Sequence, residues 1–226
     1  DYEIIKWDLK KFPLEKSIWV RQAYERKKYA FAADYIRLYA LVTEGGIYLD
    51  SDVEVLKTFD DLLHLPFFIC KENSPQGVEA ATIGAEAGTS WLIKCLEYYN
   101  EKTFVDSSGK EQTAVLPSIL QDCISRNFDI CYIDSPLEFN VNKNTVFVLP
   151  MDYFSPKNYV TKKIVITENT YSIHHFAGTW QPGWKKTLLY LWVPFSIKFP
   201  RLAAWLKQKI KIYLIDKISH SAEKLY

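Results

Sequence analysis

The sequence predicts an α/β fold in which a sheet lies between helices. Short apolar runs of strand length alternate along the chain with segments whose apolar residues recur at helical spacing. The 226 residues are 48% hydrophobic and 24% charged, which is typical of a globular domain with an ordinary core. No uncharged apolar run reaches the roughly 18 residues of a membrane-spanning helix, so we expect no such helix.

The first half of the chain predicts one strand, one long helix and two short strands. We expect a strand over residues 2–7 and a helix over residues 18–43, where small and apolar residues recur at helical spacing. A glycine pair beginning at Gly45 ends this helix as a left-handed cap does. Residues 47–49 then form a short buried strand, which residues 53–56 continue after a break.

The second half predicts further strands and two helices, and this alternation favours the α/β class. Residues 91–99 and, despite Pro117, residues 114–123 place apolar side chains at helical spacing. The remaining strand candidates are residues 66–70, 81–85, 130–133, 146–149 and 164–166.

Charge divides the chain into two unequal parts. The net charge is +1, which argues against bulk binding of nucleic acid. Residues 198–226 nevertheless carry +5 and residues 1–197 carry −4. We therefore expect a globular domain over residues 1–187 and a basic, amphipathic helical extension over residues 188–226.

The extension contains an apolar ladder at i, i+4 spacing beside several lysines. The ladder consists of Leu202, Leu206, Ile210, Leu214 and Ile218. Such a stripe is typical of a helix that lies in an anionic membrane interface. It is equally typical of a helix that packs on its own domain or on a partner subunit, and both interpretations stay open.

The four cysteines predict reduced thiols. They include no C-x-x-C pair, and four thiols in a chain of this length do not form a disulfide scaffold. We therefore expect a cytoplasmic protein, peripheral on the inner face of the cell membrane if the extension binds lipid.

An acidic turn, Asp50-Ser51-Asp52, directly follows the strand predicted at residues 47–49. Ligands of open α/β sheets bind beyond the carboxyl ends of the strands, and an extended D-x-D projects both carboxylates to one side. Two hard oxygen ligands there can hold Mg²⁺ or Mn²⁺ together with phosphate oxygens. The alternative is a solvated acidic turn, because D-x-D is common by chance.

Asp34 and Arg37 lie one helical turn apart on the helix that precedes this strand. They are either a surface ion pair of about 0–1 kcal/mol or a partly buried pair, because an apolar run surrounds them. The spacing alone does not separate these two interpretations.

A second unusual stretch begins with His174 and His175, two of the four histidines in the chain. Neutral imidazole is a common metal ligand, and Gly178 lets the backbone approach a phosphate closely. The alternative is a strand end at which one histidine points into the core.

Taken together, residues 31–37 and 45–52 closely resemble the DXD-containing sugar-binding region of family 32 glycosyltransferases. That family includes yeast-type initiating mannosyltransferases and bacterial capsule and lipopolysaccharide enzymes, and it is related to the glucosylating domains of clostridial toxins. His175-x-x-Gly178-x-x-x-Pro182 is similar to the C-terminal metal-histidine motif of family 8 enzymes. The resemblance covers most of residues 1–185 and implies a GT-A fold, a Rossmann-like mixed sheet flanked by helices.

The resemblance also implies a nucleotide-sugar donor, a divalent cation such as Mn²⁺ or Mg²⁺, and retention of anomeric configuration. It implies that Asp52 ligates the cation directly and that Asp50 contacts the donor sugar or ribose and the cation. Asp34 would then hydrogen-bond sugar or ribose hydroxyls, and Arg37 would fix the sugar or a phosphate.

The C-terminal motif carries further implied roles. His175 would be the third protein ligand of the cation, and Gly178 would let the backbone close on the diphosphate. Trp180 or Lys185 would cover that diphosphate. The family pattern also includes an upstream strand that helps to hold the nucleobase, and we expect it to precede residue 1.

Two departures from the family pattern concern donor and acceptor identity. Residues 112–117 only approximate the acceptor-side T-G-P motif, and the asparagine usual near Ala81 is absent. The sequence therefore predicts a reaction class more firmly than a particular donor sugar.

The function expected from these features is the transfer of a hexose from a UDP- or GDP-sugar in surface polysaccharide synthesis. The acceptor would be a saccharide or a lipid-linked saccharide. One alternative is a nucleotide-sugar-binding module without catalysis. Another is a metal-dependent phosphodiester hydrolase that uses Asp50, Asp52 and His175, although the placement of Asp34 and Arg37 before the strand counts against it.

Overall fold

The computed structural model describes residues 2–73, 77–140, 144–159, 161–178, 192, 195, 198–206 and 208–209. The chain divides into two compact units, Asp1–Trp180 and Gln181–Tyr226. The predicted boundary after residue 187 lies outside the described residues. In the second unit, residues 200–206 and 208–209 are helical. A search of the described residues found no helix that is long and apolar enough to cross a membrane.

The long helix predicted at residues 18–43 is two helices, α1 (Ile18–Glu25) and α2 (Tyr29–Glu44). They separate because Lys27 adopts a left-handed φ of 58°, which no residue inside an α-helix can have. The expected glycine ends α2. Gly45 has a φ of 69°, and a Cβ there would lie 2.7 Å from the backbone nitrogen of Ala87, so only glycine fits.

Four strands follow in the first half: β1 (Gly46–Leu49), β2 (Val53–Val55), β3 (Phe67–Phe68) and β4 (Thr82–Ala85). β4 is the centre of an antiparallel sheet with the order β1-β4-β3. Its residues are all buried, as expected for a central strand. The register pairs Leu49 with Thr82, so the carboxyl end of β1 lies beside the start of β4.

The second half adds α3 (Ser90–Glu97), α4 (Leu116–Asn127), β5 (Asp129–Tyr132) and β6 (Thr145–Val148). β5 and β6 pair in parallel, and a parallel bridge between Cys70 and Leu149 continues this pairing to the segment after β3. Parallel and antiparallel pairs thus occur together. The predicted fold class is confirmed as a mixed α/β, GT-A-like architecture with helices around the strands.

A seventh strand, β7 (Ser172–His174), pairs antiparallel with β2, and Val53 lies opposite His174. The sequence analysis considered a strand end at these histidines only as an alternative, because three residues are too few for a period of two to be visible. β7 brings a segment from late in the chain to the turn after β1.

Two predicted strands are wrong. Residues 2–7 have no strand partner among the described residues, and Ile4 is 95% exposed. Residues 164–166 form only one bridge, from Ile164 to Lys157. Both segments are short apolar runs with good strand propensity, but the described residues do not pair them into a sheet, and propensity alone does not form a strand.

A continuous apolar core packs the helices on the strands. Its largest fully buried side chains include Phe12, Trp19, Leu38, Trp91 and Phe104. All four cysteines are free thiols, as expected, and three of them are buried.

Candidate active site

The Asp50-Ser51-Asp52 turn joins β1 to β2 and lies at the carboxyl end of β1. The Asp50 N–H donates to the Ala81 carbonyl oxygen at 2.8 Å, and the Val53 N–H donates to the Asp50 carbonyl oxygen at 3.0 Å. The side chains of Asp50 and Asp52 are 26% and 24% exposed. The turn is therefore fixed by its backbone while both carboxylates stay open to a ligand.

Arg37 connects helix α2 to this turn. Its Nη2 donates to Asp34 Oδ1 at 2.9 Å and lies 3.1 Å from Asp50 Oδ1. Its Nη1 donates to the Ala80 carbonyl oxygen at 2.7 Å, and its Cζ lies 4.5 Å from the centre of the Tyr48 ring. The Arg37 side chain is only 6% exposed, so the pair with Asp34 is buried and not a surface ion pair.

Burial and charge set the protonation of this group. Burial raises the pKa of the Asp34 carboxyl to about 6, although the charge of Arg37 opposes the increase. Burial alone would lower the pKa of Arg37, but Tyr48, Asp50 and Asp34 raise it overall. The guanidinium therefore keeps its charge.

Tyr48 completes the group of side chains around Asp50. Burial raises the pKa of its phenol, so the phenol keeps its proton. Its Oη donates to Asp50 Oδ1 at 2.7 Å. Arg37 and Tyr48 together fix the orientation of the Asp50 carboxylate.

The loop that follows β7 contacts Asp52, the last residue of the acidic turn. The Ala177 N–H donates to Asp52 Oδ2 at 2.8 Å, and the His175 N–H donates to the Asp52 carbonyl oxygen at 3.0 Å. Phe176 and Gly178 have left-handed φ angles of 51° and 55°. Left-handed backbone at a bulky residue stores strain, and strained residues cluster at functional sites.

His174 meets the two aspartates across this loop. Its Nε2 lies 3.7 Å from Asp52 Oδ2, and one ligand atom from each of Asp50, Asp52 and His174 lies within 4.8 Å of the others. Two atoms about 2.1 Å from a shared ion lie about 3.0 Å apart at a right angle and about 4.2 Å apart on opposite sides. The 3.7 Å between His174 and Asp52 lies within this range, and two carboxylates with one imidazole are a donor set that could hold a divalent cation.

The structure groups His174, rather than the predicted His175, with the aspartates. His175 Nε2 lies 2.8 Å from Glu54 Oε2, and its Nδ1 lies 3.5 Å from the Lys157 ammonium. His174 is the last residue of β7, and His175 begins the loop, where its imidazole contacts Glu54 and not the aspartates. The pairing of β7 with β2 selects His174, and the sequence alone does not contain that register.

The remaining predicted residues of this stretch divide into two groups. Gly178 follows the strained loop, two residues beyond Phe176, and has the left-handed backbone expected of a glycine that is needed for its conformation. Trp180 and Lys185 lie outside the described residues, and so does Pro182 of the motif.

Comparison with known proteins gives this geometry a context. Residues 1–68 match the family model described as the glycosyltransferase sugar-binding region containing a DXD motif. That range contains Asp34, Arg37, Asp50 and Asp52.

Three curated fungal proteins are similar to parts of the chain. Inositol phosphoceramide mannosyltransferase 3 of Schizosaccharomyces pombe is 33% identical over 98 residues, which cover 42% of this chain and 27% of that protein. Mannosyl phosphorylinositol ceramide synthase of Saccharomyces cerevisiae is 30% identical over 112 residues, or 46% and 29% of the two chains. Glucan organizing enzyme 1 of Cryptococcus neoformans is 47% identical over 55 residues, or 24% and 15%.

The aligned segments therefore span less than a third of each curated relative. The names of the two mannosyl-related relatives nevertheless agree with the family model on the kind of protein that this chain resembles. The match over residues 1–68 agrees with the resemblance to the DXD-containing sugar-binding region of glycosyltransferases that residues 31–52 predicted.

Proposed function

We propose that the chain is a glycosyltransferase domain that moves a hexose from a nucleotide-sugar donor to a saccharide or lipid-linked acceptor. The observation that carries this proposal is the buried Arg37, which ties Asp34 on α2 to Asp50 in the turn. A solvated acidic turn would need no such connection. Buried charge of this kind is costly unless it serves a ligand or a well-paired network.

In this proposal, Asp34 and Arg37 bind and orient the donor sugar. The Asp34 side chain is 13% exposed. Its Oδ1 accepts the bond from Arg37, and its other carboxylate oxygen would accept a hydrogen bond from a sugar hydroxyl. Arg37 holds both carboxylates in place, and this fixed geometry places the sugar at little entropic cost when it binds.

Asp50, Asp52 and His174 would hold Mn²⁺ or Mg²⁺. A bound cation of this kind neutralises charge that develops on the leaving diphosphate. The Ala177 N–H fixes the Asp52 carboxylate, and Phe176 shapes the loop that brings His174 to it. We assign no general base, because transfer with retention of configuration does not need one on the opposite face of the sugar.

The names of two relatives favour mannose as the sugar and a lipid-linked acceptor. One is named as an inositol phosphoceramide mannosyltransferase and the other as a mannosyl phosphorylinositol ceramide synthase. In this proposal the chain acts in the cytoplasm on a surface-polysaccharide or lipid-linked precursor. An assay with defined donors and acceptors identifies the nucleobase of the donor and the linkage that is formed.

The basic extension would hold the enzyme near such an acceptor on an anionic membrane surface. Leu202 is 47% exposed and Trp205 is 52% exposed in the described helix, which leaves apolar side chains available to lipid. The ladder residues Ile210, Leu214 and Ile218 lie outside the described residues. Co-sedimentation of the full chain and of a version ending near residue 187 with anionic vesicles tests this. We expect only the full chain to sediment with the vesicles at low salt. If both versions sediment, or if neither does, the proposal of membrane binding is wrong.

A donor-hydrolysis screen tests the proposed function. UDP- and GDP-sugars are incubated with the protein and Mn²⁺, and release of the nucleoside diphosphate is measured with and without a chelator. We expect slow hydrolysis of one hexose donor that the chelator abolishes. Donor binding without hydrolysis or transfer would favour the binding module, and cleavage of simple phosphodiesters would favour the hydrolase.

A further inference from the structure

A buried glutamate lies behind the candidate cation site. Glu79 precedes β4, and its side chain is completely buried. Its Oε1 accepts a hydrogen bond from the Ala81 N–H at 2.7 Å, and its carboxylate also accepts from the Ser155 hydroxyl. Ala81 is the residue whose carbonyl oxygen holds the Asp50 N–H, so Glu79 is built into the same wall of the site as the turn.

Glu79 contacts one nitrogen of His174 while the aspartates face the other. The His174 Nδ1 lies 3.2 Å from Glu79 Oε1 and 3.3 Å from Oε2. On the opposite side of the ring, Nε2 lies 3.7 Å from Asp52 Oδ2. The ring of Phe176 lies against the imidazole with centroids 4.0 Å apart, which restricts rotation of the ring from one face.

The chemistry of a carboxylate selects one form of the imidazole. An ionised carboxylate only accepts hydrogen bonds, so the nitrogen that contacts it must carry the hydrogen. In the neutral ring the hydrogen is then on Nδ1, and Nε2 has a free lone pair. That lone pair is directed to the side of the ring where Asp50 and Asp52 lie.

The neighbouring histidine provides an internal contrast. His175 also contacts a glutamate, but through Nε2, at 2.8 Å from Glu54 Oε2. The side chain of Glu54 is 54% exposed, whereas that of Glu79 is fully buried. Two adjacent histidines thus carry carboxylate partners on opposite nitrogens, and only His174 leaves Nε2 free toward the turn.

We propose that Glu79 is a positioning residue that holds His174 in the Nδ1–H form and thereby makes its Nε2 the ligand of the divalent cation. This inference rests on the proposed cation site and adds a residue that neither the D-x-D nor the histidine motif contains. Partners of this kind typically change metal affinity about 10–100-fold when they are replaced.

Glu79→Gln is the test variant, because it preserves shape and keeps one acceptor oxygen but removes the charge and the selection. An amide both accepts and donates, so it tolerates the hydrogen on either nitrogen. Glu54→Gln is the matched control, since it makes the same change beside His175. Circular dichroism and thermal melts establish that each variant is folded.

Two measurements follow, on the full chain. Long-range ¹H–¹⁵N NMR of the metal-free protein, at a pH where imidazole is neutral, shows which ring nitrogen carries the hydrogen in each of the four histidines. The signals of His174 are assigned by their loss in His174→Gln. Titration with Mn²⁺ by electron paramagnetic resonance gives the affinity. We expect a single Nδ1–H form of His174 in the wild type, a mixture in Glu79→Gln, and an affinity about tenfold or more weaker in that variant only.

The outcomes separate this inference from the proposed function. If the wild type binds Mn²⁺ and Glu79→Gln binds it equally well with an unchanged His174 form, the inference is overturned while the cation site stands. If Glu54→Gln loses as much affinity as Glu79→Gln, the inference is also overturned. If the wild type binds no Mn²⁺, the cation site itself is wrong, and the role of Glu79 falls with it.

Discussion

The site consists of two halves that are built differently. The helix half contains Asp34, Arg37, Tyr48 and Asp50, which are close in sequence. The loop half contains Asp52, His174 and the loop that follows β7, and its bond from Ala177 to Asp52 spans 125 positions of the chain.

The helix half is a paired and largely buried network. Arg37 bonds two carboxylates and a backbone carbonyl at once. The loop half is more open, and its backbone is strained at Phe176. This difference indicates a division of labour: the helix half holds its carboxylates in place before any ligand arrives, and the loop half contributes the ligands that a cation would bring together.

The largest effect is expected from Asp52→Asn in the loop half. An amide still accepts the Ala177 N–H, so the fold is retained, but it is a poor ligand without charge. We expect turnover to decrease at least about hundredfold, as losing a major electrostatic contribution does. Steady-state donor hydrolysis at saturating Mn²⁺ measures this, with Asp122→Asn on the exposed face of α4 as the control. Wild-type turnover in Asp52→Asn would contradict the role of Asp52 as a cation ligand in the loop half.

Arg37→Lys tests the helix half. A single ammonium cannot replace a planar fork that bonds Asp34, Asp50 and Ala80 together. We expect donor affinity to decrease about tenfold and the free energy of unfolding to decrease by about 1–3 kcal/mol, because buried partners lose hydrogen bonds.

Calorimetric titration with the donor nucleotide and chemical denaturation check the two effects of Arg37→Lys separately. Arg126→Lys is the control, since that side chain is 73% exposed and pairs with Asp122 on the same helix. If the Arg37 variant matches the wild type in both measurements, the helix half is not a rigid network.

Gly178→Ala gives a smaller effect that is specific to the loop half. A φ of 55° is unfavourable for alanine by about 1–2 kcal/mol. Gly109→Ala is the control, because Gly109 has a φ of 81° in a turn and nothing lies near its Cβ position. We expect both variants to lose similar stability, but only Gly178→Ala to lose activity severalfold. Equal activity of the two would mean that the loop geometry does not matter for the reaction.

The smallest effect is expected from His175→Gln. Its imidazole contacts the exposed Glu54, and the structure does not group it with the aspartates. We expect turnover within about twofold of the wild type, because exposed pairs contribute little. If turnover decreases as much as in Asp52→Asn, His175 is the third ligand of the cation, as the C-terminal motif implies.

The two halves were also unequally predictable from the sequence. α2, the glycine cap, β1 and the acidic turn are local, so periodicity and turn chemistry indicate their order along the chain, and the family resemblance implied that Asp34, Arg37 and Asp50 share one site. The apolar run around Arg37 allowed both a surface pair and a buried pair, and only the structure shows that the pair is buried. The choice of His174 over His175 depends on the register of β7 against β2, which is a long-range pairing that no local pattern records. Glu79 was missed for the same reason, since its partner is 95 positions away.

The central claim is that Asp50, Asp52 and His174 form the cation site. Mn²⁺ titration by electron paramagnetic resonance of the wild type, His174→Gln and His175→Gln tests it most directly. We predict one bound Mn²⁺ per wild-type chain, affinity about 10–100-fold weaker in His174→Gln and wild-type affinity in His175→Gln. Wild-type affinity in His174→Gln, with the loss in His175→Gln instead, would contradict the account.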